Sequence, residues 1–68
     1  MENQTGRKTI LIVEDNNGMR NQILKSLKGL FPDVLFLEAK DGEEAVALAI
    51  SSHPDIVLMD IGLLKISR

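Results

Sequence analysis

At 68 residues and a net charge of −2, the chain is long enough for one small domain and lacks the basic surface typical of nucleic-acid or membrane binding. It contains no cysteine, which excludes disulfides and thiolate metal sites. No apolar stretch reaches the roughly 18 residues of a membrane span, and the polar start MENQTGRK lacks a signal-peptide core; together these features favour a cytoplasmic protein.

The hydrophobic content of 44% and charged content of 26% are those of a folded domain. A core in so short a chain rarely supplies more than about 3–5 kcal/mol of stability. Because disulfides are excluded, association with another chain or a bound ion is the expected source of additional stability.

The first predicted strand is the apolar, β-branched run TILIV at residues 9–13, which follows a polar leader of residues 1–8. Such a run is typical of a strand buried on both faces in a parallel sheet. The polar cluster EDNNG at residues 14–18 ends the strand and offers N-cap residues for a helix.

An amphipathic helix of roughly 13–15 residues is predicted next, closed by Gly29 and Pro32. Its apolar stripe is formed by Met19, Ile23, Leu24, Leu27, Leu30 and Phe31. Arg20 lies off this stripe and is expected to be solvated, with a role as partner of the acidic residues at the strand ends as the weaker alternative. The apolar run VLFLE at residues 34–38 predicts the second strand.

Asp41 is the predicted N-cap of a second, shorter helix, and Glu44 completes a pattern like a capping box. The expected buried face of this helix consists of Ala45, Val46, Leu48, Ala49 and Ile50. His53, beside Pro54, is expected at an exposed helix end. The third strand is predicted from Asp55 to Met59 or Asp60.

The predicted order β-α-β-α-β requires parallel strands joined by right-handed crossovers. If the two crossovers run in opposite directions, the strand order is 2-1-3 and the helices cover opposite faces of the sheet. The carboxyl ends of strands 1 and 3 then meet at a topological switch point, where open α/β sheets bind ligands.

Three carboxylates follow these two strands. Glu14 and Asp15 come directly after strand 1, and Asp60 closes strand 3. A cluster of hard oxygen ligands without histidine or thiol suits Mg²⁺. A carboxylate beside Mg²⁺ can also act as a nucleophile toward a phosphoryl group and form an aspartyl phosphate.

Other interpretations of these residues remain open from the sequence. An acidic pair after a strand commonly caps a helix and lies in a solvated turn, and Asp60 alone is compatible with a turn residue at a strand end. Gly62 is most simply a turn glycine.

A resemblance to the receiver domains of bacterial two-component response regulators is carried by the stretches ILIVEDN, EAKDGEEAVALA and PDIVLMDIGL. The NarL/LuxR type of receiver is resembled in particular by the segments DGEEA and HPDIVLMDI. The resemblance implies an α/β, flavodoxin-like, doubly wound parallel sheet. It covers residues 9–63, which correspond to the N-terminal half of a receiver, whereas residues 64–68 form a tail that does not match.

By this resemblance, Asp60 is the phosphoacceptor, which receives a phosphoryl group from a sensor histidine kinase or a small phosphodonor. Asp15 is a direct ligand of Mg²⁺, and Glu14 is its acidic neighbour. Gly62 supplies a backbone carbonyl as a further ligand. The resemblance implies a phosphoacceptor rather than an enzyme, capable at most of self-catalysed phosphoryl transfer.

The sequence departs from the receiver pattern at Leu64, where a proline is expected. Receivers continue with two further β-α units, which bring a Ser/Thr hydroxyl and a lysine to the phosphoryl group. Lys65 and Ser67 do not occupy matching positions. We therefore expect a truncated receiver in which phosphoryl acceptance is slow.

Two alternative functions differ from this one. A half-receiver that only dimerises or binds a partner would need no phosphoryl chemistry. A phosphatase with an aspartate nucleophile would require an acid two residues after Asp60, where Gly62 stands. Whether the chain accepts a phosphoryl group or only binds a partner, its apolar third strand is expected to form an open edge. Such an edge favours a homodimer or larger homo-oligomer.

Overall fold

A computed structural model describes residues 7–59 of the chain, which form a three-stranded parallel sheet and two helices. The elements in chain order are β1 (Thr9–Val13), α1 (Asn17–Leu30), β2 (Leu35–Ala39), α2 (Gly42–Ser52) and β3 (Ile56–Met59). The sheet order is β2-β1-β3, which confirms the predicted 2-1-3 arrangement of a flavodoxin-like α/β fold.

The centre of the core is β1, as its continuous apolar run predicts. Leu11, Ile12 and Val13 are at most 1% exposed, because parallel strands flank β1 on both sides. Leu11 and Val13 pack with Ala39 and Ala45 toward α2. Ile12 points to the other face of the sheet, toward α1, because successive strand residues alternate between faces.

The first helix begins at an asparagine cap. The Asn16 Oδ1 accepts a hydrogen bond from the Met19 backbone N–H at 2.8 Å. The helix runs through Gly29 to Leu30, and its 14 residues agree with the predicted length of roughly 13–15. The Phe31 N–H still donates to the Leu27 carbonyl at 2.7 Å and completes the last turn.

The apolar stripe of α1 is only partly covered. Ile23, Leu24 and Leu27 are half-buried, as the periodicity predicts. Met19 and Leu30, at the two ends of the helix, are 48% and 70% exposed. Because the described sheet has only three strands, it covers the middle of the stripe and leaves the two ends exposed to solvent.

The second strand is shifted by one residue from its predicted bounds. The Val34 N–H donates to the Phe31 carbonyl at 3.1 Å, which places Val34 in the turn after α1. Pairing then begins with Leu35 opposite Thr9 and ends with Ala39 opposite Val13. The bounds of β2 are therefore determined by the hydrogen bond in the turn and by the register with β1. The run of apolar residues in the sequence does not determine them.

The predicted cap of α2 is confirmed. The Asp41 Oδ1 accepts from the Glu44 N–H at 2.8 Å, and the Glu44 Oε1 accepts from the Lys40 N–H at 2.8 Å. The return bond therefore reaches the residue before the cap rather than the cap itself. Glu43 and Glu44 also place negative charge in the first turn, where it favours the helix dipole.

The buried face of α2 is narrower than predicted. Ala45 is buried and Leu48 and Ala49 pack against the core, but Val46 and Ile50 are 59% and 69% exposed. Assigning Val46 and Ile50 to the buried face was wrong. The helix packs on the sheet through Ala45, Leu48 and Ala49, and Val46 and Ile50 project beyond the covered area.

His53 ends α2 in a left-handed conformation, with φ of 48°. It is exposed, as predicted. The left-handed conformation costs a non-glycine residue about 1–2 kcal/mol, and glycine loses only about 0.5–1 kcal/mol more backbone entropy. We expect His53→Gly to raise the free energy of unfolding by about 0.5–1 kcal/mol in a urea titration.

Ser52→Gly is the matched control for this substitution. Ser52 is the last residue of α2 and has a helical conformation, so glycine brings only its entropic cost there. Ser52→Gly should therefore lower stability. Equal effects of the two substitutions would contradict a special role for the conformation of His53.

The third strand begins with two hydrogen bonds to β1. The Asp55 N–H donates to the Thr9 carbonyl and the Asp55 Oδ2 accepts from the Thr9 N–H, each at 2.8 Å. Ile56 to Met59 then pair with residues 10–13. All four side chains of β3 are 40–48% exposed, because within residues 7–59 no strand pairs with the outer edge of β3.

Candidate functional site

The carboxyl ends of β1 and β3 lie side by side. Val13 pairs with Met59, and these are the last residues of the two strands. Glu14 and Asp15 follow Val13 in the sequence, and Asp60 follows Met59. The structure thus places Glu14 and Asp15 next to the carboxyl end of β3, the strand that Asp60 follows in the sequence. Asp60 and Gly62 themselves lie outside the described residues.

Glu14 is held at the end of β1 by its backbone and its side chain. Its N–H donates to the Ala39 carbonyl at 3.0 Å, which extends the pairing of β1 with β2. Its Oε2 accepts from the Asn16 N–H at 3.0 Å. The residue is only 2% exposed. A buried carboxylate is costly unless hydrogen bonds support it, so this position has a defined geometry.

Asp15 differs from its neighbour because it is exposed to solvent. The sequence left open whether the acidic pair caps α1 instead of serving a site. The structure assigns the cap to Asn16, whose side chain accepts from Met19. The Asp15 carboxylate is therefore not needed to cap the helix and faces solvent at the switch point.

Arg20 is the residue of this region whose contact with the acidic turn the sequence analysis ranked below a solvated position. Its side chain is only 16% exposed and forms an ion pair with Glu38, with 3.1 Å between Nε and Oε1. Its Nη1 donates to the Glu14 carbonyl at 2.8 Å, and its Nη2 to the Asn17 Oδ1 at 2.6 Å. The prediction of a solvated helix residue was wrong.

A sequence signal for this role of Arg20 is weak. The position lies one helical turn after Asn16, and the Arg20 N–H donates to the Asn16 carbonyl at 2.9 Å. That spacing directs a long side chain back over the preceding turn. The contact with Glu38 joins residues 18 positions apart, and only the pairing of β1 with β2 makes it possible.

The described residues do not form a complete metal site by themselves. Within residues 7–59, no group of three or more acidic, histidine or cysteine side chains is placed to hold a metal ion. The predicted ligand set also requires Asp60 and the Gly62 carbonyl. The donors that are described, two carboxylates beside a main-chain turn, have the hard-oxygen chemistry that suits Mg²⁺.

An apolar groove of about 250 Å³ lies next to this end of the sheet, between α1 and β3. The residues that line it include Ile12, Ile23 and Leu58 as well as Glu14. A second groove of about 260 Å³ lies on the other face, between α2 and β3, and is lined by residues that include Leu11, Val46 and Val57. Both faces of β3 are therefore open.

His53 does not belong to this region. It lies at the carboxyl end of α2, just before β3 begins, and therefore at the opposite end of the sheet from Glu14. Neither helix of the described part of the chain has the length and apolar character needed to cross a membrane.

Comparison with known proteins gave matches among curated sequences, whereas no family model and no solved structure matches the chain. The chain is 36% identical over 56 residues to the nitrate/nitrite response regulator protein NarL of Escherichia coli K12. It is 43% identical over 54 residues to a protein-glutamate methylesterase/protein-glutamine glutaminase of Methanosarcina acetivorans, and 33% over 58 residues to one of Pyrococcus abyssi.

The matches cover most of this chain and a small part of each relative. They span 81%, 78% and 84% of the chain, but 26%, 15% and 16% of the respective relatives. The chain thus corresponds to about a quarter or less of the length of these proteins. The similarity concerns a segment that a regulator and two esterases have in common.

Proposed function

Given that the chain carries a receiver-domain sequence of the response-regulator kind, which its relatives also carry, we propose that it is a phosphoryl-accepting module of a two-component signalling system. The observation that supports this most is the register of β1 with β3. Val13 and Met59 are paired, and the sequence continues from them with Glu14-Asp15 and with Asp60. Open α/β sheets bind their ligands outside the carboxyl ends of the strands, at a topological switch point such as the one between β1 and β3.

In this proposal, Asp60 is the acceptor and Mg²⁺ is the cofactor. The ion would be held by Asp15, Asp60 and the Gly62 carbonyl, with Glu14 as the acidic neighbour. When bound, Mg²⁺ neutralises the negative charge that carboxylates and a phosphoryl group bring together. The exposed Asp15 is accessible for a metal ion, and the buried, hydrogen-bonded Glu14 provides a fixed second carboxylate.

The group transfer is a simple exchange of bonds to phosphorus. The bond between phosphorus and the donor's leaving group breaks, and a new bond forms to a carboxylate oxygen of Asp60, which yields an acyl phosphate. The donor in a cell would be a sensor histidine kinase or a small phosphodonor in the cytoplasm. One of the relatives is named as a response regulator, which supports a partner of this class.

Intact-mass analysis after incubation with acetyl phosphate and Mg²⁺ tests the proposal. We expect the wild-type chain to gain one phosphoryl group, with acetate as the leaving group, and Asp60→Asn to gain none. Asp33→Asn is the matched control, because Asp33 is an exposed aspartate in the loop before β2, at the other end of the sheet. It should be modified as fully as the wild type.

The same experiment separates metal dependence from acceptor identity. Addition of EDTA should prevent the adduct in the wild type and in Asp33→Asn. An adduct that persists in Asp60→Asn, or the absence of any adduct in the wild type, would refute Asp60 as a working phosphoacceptor.

The exposed third strand favours a second candidate function, that of an association module. Ile56 to Met59 are all apolar and 40–48% exposed, and the strand contains neither a charge nor a proline to block pairing. We propose a second copy of this chain as the occupant, since two β3 edges can pair about a two-fold axis. If association is the whole function, it should be unaffected by Asp60→Asn and by removal of Mg²⁺.

A further inference from the structure

The Arg20 guanidinium contacts β2, the turn at Glu14 and Asp15 that follows β1, and the first residue of α1. Its Nε contacts Glu38 on β2 at 3.1 Å, its Nη1 contacts the Glu14 carbonyl at 2.8 Å, and its Nη2 contacts Asn17 at 2.6 Å. All three nitrogens are therefore used. The Arg20 side chain is only 16% exposed, and its bond to the Glu14 carbonyl is the part-buried one of the three.

The bond to the Glu14 carbonyl acts on the peptide unit that links Glu14 to Asp15. A peptide unit is planar, so the direction of its carbonyl also determines the direction of the Asp15 N–H. The side chains of Glu14 and Asp15 leave the backbone on either side of this peptide unit. Fixing its plane therefore restricts the directions in which the two carboxylates can point. A guanidinium fork suits this role because its donors have a rigid, planar arrangement.

We propose that Arg20 is a positioning residue for the acidic pair. It holds the Glu14–Asp15 peptide unit against β2 so that the two carboxylates are presented to a divalent cation in one arrangement. The inference rests on the proposed function, because it assumes that this pair takes part in Mg²⁺ binding. Glu38 acts as the anchor, since its carboxylate holds the guanidinium from the neighbouring strand.

Positioning and simple electrostatics predict opposite results when Arg20 is changed. A positive charge close to a cation site repels the cation, so its removal alone should tighten binding of Mg²⁺. Loss of positioning should instead weaken binding, by about tenfold if the effect resembles that of other residues that orient metal ligands. The sign of the change in Kd therefore distinguishes the two.

The experiment is a calorimetric titration of the intact chain with Mg²⁺, combined with a urea titration of each variant. We expect Arg20→Gln and Arg20→Lys both to raise the Kd for Mg²⁺ about tenfold. Lysine keeps the charge but cannot make the three bonds of the fork. Glu38→Gln should also raise the Kd, but loss of a nearby negative charge predicts the same sign, so the Arg20→Lys variant, which keeps the charge, is the decisive one.

Lys25→Gln is the matched control for charge. Lys25 is an exposed cation on α1, and its replacement removes one positive charge without touching the turn. Its Kd should equal that of the wild type. Urea titrations separate positioning from a purely structural role, because a structural role would lower the free energy of unfolding and leave the Kd of the folded chain unchanged.

The possible results have distinct meanings. If the wild type binds Mg²⁺ and the Kd of Arg20→Lys is unchanged, positioning by Arg20 is refuted and the proposed function stands. If Arg20→Gln binds more tightly, electrostatic repulsion is the dominant effect and the inference is also refuted. If the wild type neither binds Mg²⁺ nor forms the Asp60 adduct, the proposed function fails and the inference fails with it.

Discussion

Leu11→Ala should leave the chain largely unfolded at 25 °C. Leu11 is 0% exposed at the centre of the sheet and belongs to the core cluster with Val13, Ala39 and Ala45. Truncating a fully buried leucine costs about 2–5 kcal/mol. A core of this size supplies only about 3–5 kcal/mol in total. The loss is thus comparable to the whole stability, and circular dichroism should show little residual helix.

Leu30→Ala makes the same chemical change in a different environment. Leu30 is the last residue of α1 and is 70% exposed. Exposed substitutions usually change stability by less than about 0.5 kcal/mol, and alanine favours the helix. This variant should unfold at a urea concentration close to that of the wild type. If both variants lost similar stability, Leu11 would not be the centre of the core.

The fold follows closely from local sequence patterns. The run TILIV predicts a buried central strand, and Asp41 with Glu44 predicts the start of α2; both are confirmed. What the patterns do not contain is the register between strands, which placed β2 one residue later than predicted. They also do not state how much sheet a helix covers, so Val46 and Ile50 were assigned to a face that leaves them exposed.

The candidate site was only partly predictable for a similar reason. The positions of Glu14 and Asp15 follow from the end of a strand, which a sequence shows directly. The difference between them, one buried and one exposed, depends on the Asn16 N–H and on the pairing with Ala39. The role of Arg20 depends on Glu38, which is distant in sequence and adjacent only after the sheet forms.

Val57→Lys should convert an associating chain into a monomer. Val57 lies within β3, is 45% exposed and borders the groove between β3 and α2. We expect the wild type to sediment as a dimer or larger species at micromolar concentration, because its apolar strand has an open edge in the described sheet. Lysine on an edge strand opposes pairing since its charge would lose water there.

A two-fold axis doubles the effect of this substitution. In a symmetric pair, the same strand contributes to both sides, so one substitution places two like charges at one interface. Juxtaposed like charges cost several kcal/mol, which corresponds to an increase in the dissociation constant of about 100-fold or more.

Ile50→Lys is the matched control for Val57→Lys. Ile50 is also apolar and is more exposed, at 69%, but it lies on α2 outside both grooves beside β3. It should sediment like the wild type, because a lysine there does not meet the strand edge. Equal dissociation by the two variants would indicate a general effect of added positive charge. A well-folded wild-type monomer at micromolar concentration would show that the edge of β3 does not mediate association.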